Sequence, residues 1–307
     1  MTTVFIDGAV GTTGLEIRER LAGRTDITLA LLPEDRRKDP AARREALNDA
    51  DFVILCLPDD ASREAVTLID NARTRVIDAS SAHRVAAGWT YGFPELPGQA
   101  DKVATAMRVS NPGCYPTGFL ALVAPLISAR LIPADLPLSL NATSGYSGGG
   151  KAMIAAFESG EPTTAFRAYA LGLAHKHIAE MTQHAGLTHA PIFAPAVANT
   201  YRGMVVEVPL HLHALPGRPT LAAIEDVLRA AFDGSKLVSV ASGDIGAIDI
   251  EENAGTDRLT LRVCGNDAVG HARLIATLDN LGKGAGGAAV QNLNIMAGVD
   301  PVAGLVF

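Results

Sequence analysis

Cysteine is scarce: Cys56, Cys114 and Cys264 are the three in 307 residues. They stand far apart and odd in number, with no Cys-x-x-Cys pair and no Cys/His spacing suited to tetrahedral zinc, so neither a disulfide framework nor a metal site is expected. Basic charge is in deficit as well, since 26 Lys and Arg face 33 Asp and Glu and leave a net charge of -7. That balance lacks the electrostatic footprint of a nucleic-acid or anionic-membrane binder, although a local Arg or Lys cluster would still serve an anionic small molecule. No basic n-region with an apolar h-region opens the chain, where Met1 leads directly into Thr2-Thr3-Val4-Phe5-Ile6, and no apolar run is long enough to span a bilayer. The expectation is a cytoplasmic protein, without nucleic-acid or membrane partners, whose thiols are reduced. What is present is core-forming material: 48% hydrophobic and 19% charged residues describe a globular chain of one large or two ordinary domains.

Val4-Phe5-Ile6 reads as a short buried strand, followed by the turn Gly8-Ala9-Val10-Gly11-Thr12-Thr13-Gly14. Leu15, Ile17, Arg18 and Leu21 then continue as an amphipathic helix. Strand, glycine turn and helix form a dinucleotide-binding fingerprint, spaced here G-x-x-G-x-x-G. Glycines let the backbone approach a pyrophosphate, and the helix N-terminus stabilises its charge. A tight turn without a ligand would use the same residues. After a second strand from Ile27 to Leu32, Pro33-Glu34-Asp35-Arg36-Arg37-Lys38 stands where a Rossmann unit meets the adenosine ribose. Arg36 and Arg37 suit a 2′-phosphate and lean the cofactor toward NADP, against the plainer reading of a solvated charged loop.

Further strands at 51–58 and 75–81, with a helix from Ala61 to Ile69 between them, imply a doubly wound parallel sheet. Ligands bind beyond the carboxyl ends of such strands, where Gly8, Pro58, Ser80 and Ser81 lie. Cys56, inside an apolar strand, is expected to pack in the core, and Cys264 to be structural.

Ser110-Asn111-Pro112-Gly113-Cys114-Tyr115-Pro116-Thr117 places one cysteine on a turn directly before the apolar run from Gly118 to Ile127, which reads as a helix. A thiol at a helix N-terminus is favoured as thiolate and so becomes a candidate nucleophile, whereas a free cysteine is more commonly a small buried hydrophobe. The turn after Asn111 and the helix start would supply oxyanion N–H donors, and Asn111 itself is a candidate substrate contact. Ser144-Gly145-Tyr146-Ser147-Gly148-Gly149-Gly150-Lys151 reads as a flexible, amide-rich anion-binding loop. Tyr169 precedes His175-Lys176-His177, which leads into a helix, and histidine is the usual proton carrier near neutral pH. His211 and His213 read as a pair on one face of a strand. Gln291 and Asn292 ride a mostly apolar helix, where they would hydrogen-bond a nicotinamide carboxamide or satisfy buried backbone. The second half is expected to be an α+β substrate and dimerisation domain with a mixed sheet. The expected division is residues 1–113, joined by 285–307, against 114–284.

A dinucleotide site plus an activated cysteine points to thiolate attack on an acyl group, followed by hydride reduction of the thioester. In these segments, in order over nearly the whole length, the chain resembles the N-acetyl-γ-glutamyl-phosphate reductases, and more closely their shorter type. The match is most specific at Asn111 to Thr117 and Ser144 to Lys151. The resemblance implies NADPH-dependent reduction of N-acetyl-γ-glutamyl phosphate in arginine biosynthesis, through Cys114, with the His-x-His pair for proton transfer and substrate positioning. His177, further into the helix start, is favoured as the base. It also implies that Arg84 and Arg202 face the substrate's carboxylate or phosphate, with Lys151 assisting, and that the protein is a homo-oligomer, dimer or tetramer. One departure is Val10, where the family often has a serine. Aspartate- or aminoadipate-type semialdehyde dehydrogenases share the mechanism. A non-catalytic NADP-sensing protein would need no activated cysteine, and a cysteine hydrolase would leave the glycine turn unexplained.

Overall fold

The computed structural model describes residues 1–307 other than Lys38, Pro162, Thr163 and Asp244. The chain forms two compact units. The first comprises Met1–Pro94, Gly98–Gly113 and Ala285–Leu305, and the second Glu95–Pro97, Cys114–Gly284 and Val306–Phe307.

The first unit begins with β1 (Thr2–Asp7), α1 (Thr12–Leu21), β2 (Ile27–Ala30), α2 (Pro40–Asp49), β3 (Phe52–Leu55) and α3 (Asp59–Leu68). It continues with β4 (Arg75–Asp78), β5 (Thr90–Tyr91), α4 (Gln99–Thr105) and β6 (Arg108–Ser110). The second unit contributes α5 (Cys114–Ser128), β7 (Ser139–Gly145), α6 (Gly150–Glu158), β8 (Phe166–Ala168), α7 (Ile178–Ala185) and β9 (Ile192–Ala198). After these come β10 (Met204–His211), α8 (Leu221–Ala231), β11 (Val238–Val240), β12 (Leu259–Asn266) and β13 (His271–Leu278). The chain returns to the first unit for α9 (Gly287–Ala297).

The six strands of the first unit are all parallel, in the order β2-β1-β3-β4-β6-β5. Side chains alternate across a strand, so Val4, Ile6, Ile54, Ile77 and Val109 cover one face while Phe5, Val53, Leu55 and Val76 cover the other. Ile17 of α1, Val103 of α4 and Val290, Leu293 and Met296 of α9 close the first face; Leu47 of α2 and Ala65 of α3 close the second. Each such aliphatic side chain contributes about 1.5–3 kcal/mol when fully buried. This is the doubly wound sheet the alternation of strands and helices implies. Strand order reverses at β1, which opens a crevice at the carboxyl ends of β1 and β3. Helix α4, entered through Gly98 at φ 68°, has no counterpart in the sequence expectations.

The second unit holds a seven-stranded mixed sheet, β11-β12-β13-β10-β7-β9-β8. Helix α5 lies over β10 and β13, and Gly118 permits the approach: a Cβ there would meet Val206 Cγ2 at 2.8 Å. The expected strand through His213 stops at His211, and His213 stands on a 3₁₀ turn, Leu212–Ala214. Its ring nonetheless lies 5.5 Å from that of His211, with His271 of β13 5.0 Å from His211.

Candidate active site

Cys114 is the first residue of α5, and no acidic side chain occupies that helix's first turn. The dipole and the first N–H groups of α5 therefore favour a thiolate at this position, which is part-exposed. Tyr115 follows, buried, its hydroxyl donating to the carbonyl of Ala196 at 3.0 Å. Tyr169 donates to Tyr115 Oη at 3.3 Å, and its own hydroxyl lies 3.5 Å from Nε2 of His175. The backbone N–H of His177 donates to Nδ1 of His175 at 3.1 Å. The two imidazole centroids are 4.6 Å apart, and the Tyr115 ring lies 6.1 Å from His175 and 5.9 Å from His177.

Burial pushes the Tyr115 phenol well above its ordinary value, helped by the charges of Tyr169 and Cys114. Tyr169 is pushed up to about 12, by burial first and by the Cys114 charge, against a hydrogen bond with Tyr115 that lowers it. Both phenols thus stay protonated beside Cys114. His177 is itself buried at the N-cap of α7, and the carboxyl of Glu180, one turn on, is 1% exposed.

A second cluster of this unit centres on Asp279, which is fully buried. Its Oδ2 pairs with Nη1 of Arg202 at 3.2 Å and accepts from Gly255 N at 2.6 Å, while Oδ1 accepts from Leu281 N at 2.8 Å. Asn280 accepts from Gly203 N at 3.0 Å and donates to Ser147 Oγ at 2.8 Å. The expected flexible loop of 144–151 is a correction: it is the end of β7, a 3₁₀ turn Tyr146–Gly149 and the start of α6. The N–H groups of Gly145, Tyr146 and Ser147 donate to the carbonyls of Gly203, Thr200 and Tyr201, so they are not an open anion nest. Ser144 is buried within that strand end, and Lys151 stands exposed on the first turn of α6.

In the first unit, Gly8 to Gly14 wrap the N-terminus of α1. Gly8 has φ 89°, and a Cβ there would meet the carbonyl oxygen of Cys56 at 2.2 Å; one at Gly14 would meet that of Gly8 at 2.5 Å. Gly11 N-caps α1 without a side-chain cap, and Ala9, Val10, Thr12 and Thr13 keep partial or full exposure, so the backbone is open to a phosphate. Arg36 is exposed on the turn after β2, whereas Arg37 pairs with Glu34 at 2.9 Å; Lys38 of that stretch lies outside the described residues. Pro58 N-caps α3. Ser80 donates to Asp78 at 2.8 Å and Ser81 to Asp59 at 2.7 Å.

Asn111 and Asn292 hold each other, and Asn292 makes the second of its two expected contacts, with buried backbone. Asn292 is fully buried, with Nδ2 donating to Asn111 Oδ1 at 3.1 Å and to Gly92 O at 2.9 Å. Asn111 in turn donates to Ala285 O at 2.9 Å, and Arg84 Nε donates to the Asn111 carbonyl at 3.0 Å. These three residues brace the backbone that runs into Cys114. Gln291 is buried on the same helix as Asn292. Cys56 packs in the core as expected, and burial, followed by the charges of Asp78 and Asp7, pushes its thiol up to about 12.

Residues 3–105 match the semialdehyde dehydrogenase NAD binding domain, and residues 114–280 the semialdehyde dehydrogenase dimerisation domain. A Pseudomonas putida protein named N-acetyl-gamma-glutamyl-phosphate reductase 2 is 49% identical over 302 residues, covering 96% of each chain. The chain belongs to this reductase family. Reductases so named from Burkholderia lata and Brucella anthropi are 51% and 50% identical, covering 98% and 96% of this chain and 98% of each relative. Among solved structures, aspartate semialdehyde dehydrogenase II of Vibrio cholerae, complexed with ASA, superposes with a TM-score of 0.74 at 18% identity, covering 97% of this chain and 98% of that one. The aspartate semialdehyde dehydrogenase of Francisella tularensis gives 0.73 at 15%, covering 97% and 100%. Both likenesses concern the fold.

Tyr115, Asp279, Asn280 and Glu180 went unnoticed in the sequence. Asp279-Asn280 carried the one usable signal, two polar residues closing an apolar strand before a glycine turn. Among the described residues no cluster of three or more His, Cys, Asp or Glu is arranged to hold a metal ion, and no helix is long and apolar enough to cross a membrane.

Proposed function

We propose that the protein reduces N-acetyl-γ-glutamyl phosphate to N-acetylglutamate 5-semialdehyde and phosphate, using NADPH, as a step of arginine biosynthesis. The observation that carries this reading is Cys114 at the start of α5, in one cluster with Tyr115, Tyr169, His175 and His177, in a chain half identical to reductases of that name. His177 takes the Cys114 proton, and the thiolate attacks the acyl carbon. The carbon–sulfur bond forms as the carbon–oxygen bond to phosphate breaks, leaving a thioester. First-turn N–H groups of α5 stabilise the oxyanion of each tetrahedral intermediate. When bound, the nicotinamide supplies hydride to the thioester carbon. His177 returns its proton as the carbon–sulfur bond breaks, releasing aldehyde and regenerating the thiol.

Arg202, held by Asp279, would bind an anionic group of the substrate, with Ser147 and Lys151 of the second unit assisting. The open glycine turn at Gly8 to Gly14 fits a pyrophosphate, and Arg36 suits a 2′-phosphate. The dimerisation-domain match supports a homo-oligomer, dimer or tetramer, built through the second unit.

The deciding assay runs the reaction backward. NADP reduction is followed with phosphate and either N-acetylglutamate semialdehyde or aspartate semialdehyde. A preference for the aspartate compound would replace this reading with the aspartate-type dehydrogenase.

A further inference from the structure

The second unit contains a buried ion pair that the mechanism above does not use. Lys283 Nζ lies 2.6 Å from Glu95 Oε1, with the two side chains 1% and 8% exposed. Lys283 sits in the π-helical turn Gly282–Gly286, between two glycines that have no room for a side chain. A Cβ on Gly282 would meet the carbonyl oxygen of Thr256 at 2.1 Å, and one on Gly284 would meet Cβ of Cys114 at 2.8 Å. Gly284 N also donates to Asp279 O at 2.9 Å, and Asp279 is the partner of Arg202. One short turn thus rests against the nucleophile on one side and carries the anchor of Arg202 on the other.

We propose that Glu95 and Lys283 are positioning residues for Cys114: the pair pins the 282–286 turn, and Gly284 then sets where the Cys114 thiol stands. This rests on Cys114 being the nucleophile. Electrostatic activation is the competing role, because a lysine near a thiolate lowers its pKa. Opposite charges 2.6 Å apart largely cancel at a third group, however, so the pair's field at the thiol is weak. The geometry favours mechanical support.

The test uses the full-length protein as wild type, Lys283→Met, Glu95→Gln and the double variant. Each is measured for kcat, KM, thermal midpoint, and the pH dependence of Cys114 alkylation by iodoacetamide, read by mass spectrometry at that peptide. Each single variant leaves a buried charge without its partner and should lower kcat by about 10-fold to 100-fold with KM within about twofold, as expected for a small misplacement. In the double variant, which leaves no lone charge, the pH midpoint of alkylation should stay at its wild-type value while the limiting rate changes. The double variant, which removes both charges, should recover part of the lost kcat. It also serves as the folded test case should a single variant fail to fold. Wild-type kcat and limiting alkylation rate in a folded single variant would overturn the proposal. So would an upward shift of the alkylation midpoint in the double variant, which is the mark of an electrostatic activator. Failure of the functional reading is separate: it would show as turnover surviving Cys114→Ser.

Discussion

The backbone N–H of His177 donates to Nδ1 of His175 at 3.1 Å, so two imidazoles one residue apart are chemically unequal. Accepting at Nδ1 keeps the His175 proton on Nε2, 3.5 Å from the hydroxyl of Tyr169. This inequality supports the proposed roles, in which His175 orients and His177 exchanges protons. His177→Asn should therefore lower kcat/KM by about 10²–10⁴-fold, the usual worth of a general base. His175→Asn should cost about 10-fold, a smaller loss in keeping with an orienting role. Steady-state kinetics of the two variants, side by side, would expose a reversed assignment.

Cys114→Ser should retain NADPH binding and lose turnover by at least about 10³-fold, because an alcohol lacks the thiolate's nucleophilicity at neutral pH. Fluorescence titration with NADPH, together with an activity assay, separates the two effects. Unchanged turnover would remove the thioester from the mechanism.

The two thiols Cys56 and Cys114 should differ sharply in reactivity. Iodoacetamide near neutral pH should label Cys114 and spare Cys56, whose thiol is held near 12 by burial. A linked effect on stability follows. The folded-state value lies above the ordinary 9.0, so the native state binds the Cys56 proton more tightly than the unfolded state. Its contribution is complete below 9.0 and is lost as pH rises toward 12. Urea midpoints at about pH 8 and about pH 10 should thus fall more steeply in wild type than in Cys56→Ala.

Arg36 is exposed, while Arg37 is engaged by Glu34 at 2.9 Å, so Arg36 should carry the preference for the phosphorylated cofactor. Arg36→Ala should lower kcat/KM for NADPH by about 10-fold, the scale of one charge-assisted hydrogen bond, and leave NADH nearly untouched. Equal use of both cofactors by the wild type would contradict the 2′-phosphate reading.

Gly284→Ala should fold but with a thermal midpoint below wild type, since its Cβ would lie 2.8 Å from that of Cys114. Overpacking of this kind costs about 1–3 kcal/mol. Because the neighbour that must yield is the nucleophile, kcat should drop along with stability.

The fold was legible because its signals are local, and the signal for the candidate nucleophile is local too. Strand, glycine turn and helix stand consecutively from Val4 to Leu21, and the Asn-Pro-Gly turn directly precedes Cys114. What escaped depends on distant partners. For Asn292 the sequence allows a ligand amide or a buried backbone partner alike, because its acceptor on Asn111 lies 181 positions away in the chain. Residues 144–151 looked like a loop because four glycines mask a strand end and a 3₁₀ turn, whose N–H groups are satisfied by residues 200–203. Helix α4 is seven residues long and lies almost entirely outside any apolar run. The strand predicted through His213 failed at its end, where Leu212 N donates to Gly270 O and the chain turns.

Helix α9 completes the sheet face lined by Val4, Ile6, Ile54 and Ile77, yet it is made near the end of the chain. Synthesis on the ribosome therefore reverses the order of assembly. All of the second unit except Val306–Phe307 has been translated before α9 appears, while the first unit waits with one apolar face covered only by α1 and α4. During that interval the nascent chain carries a parallel sheet partly bare on one side, the kind of surface on which chaperones act and aggregation begins. A chain cut short before Gly287 would lack the last helix of its first unit while holding nearly the whole sequence of its second.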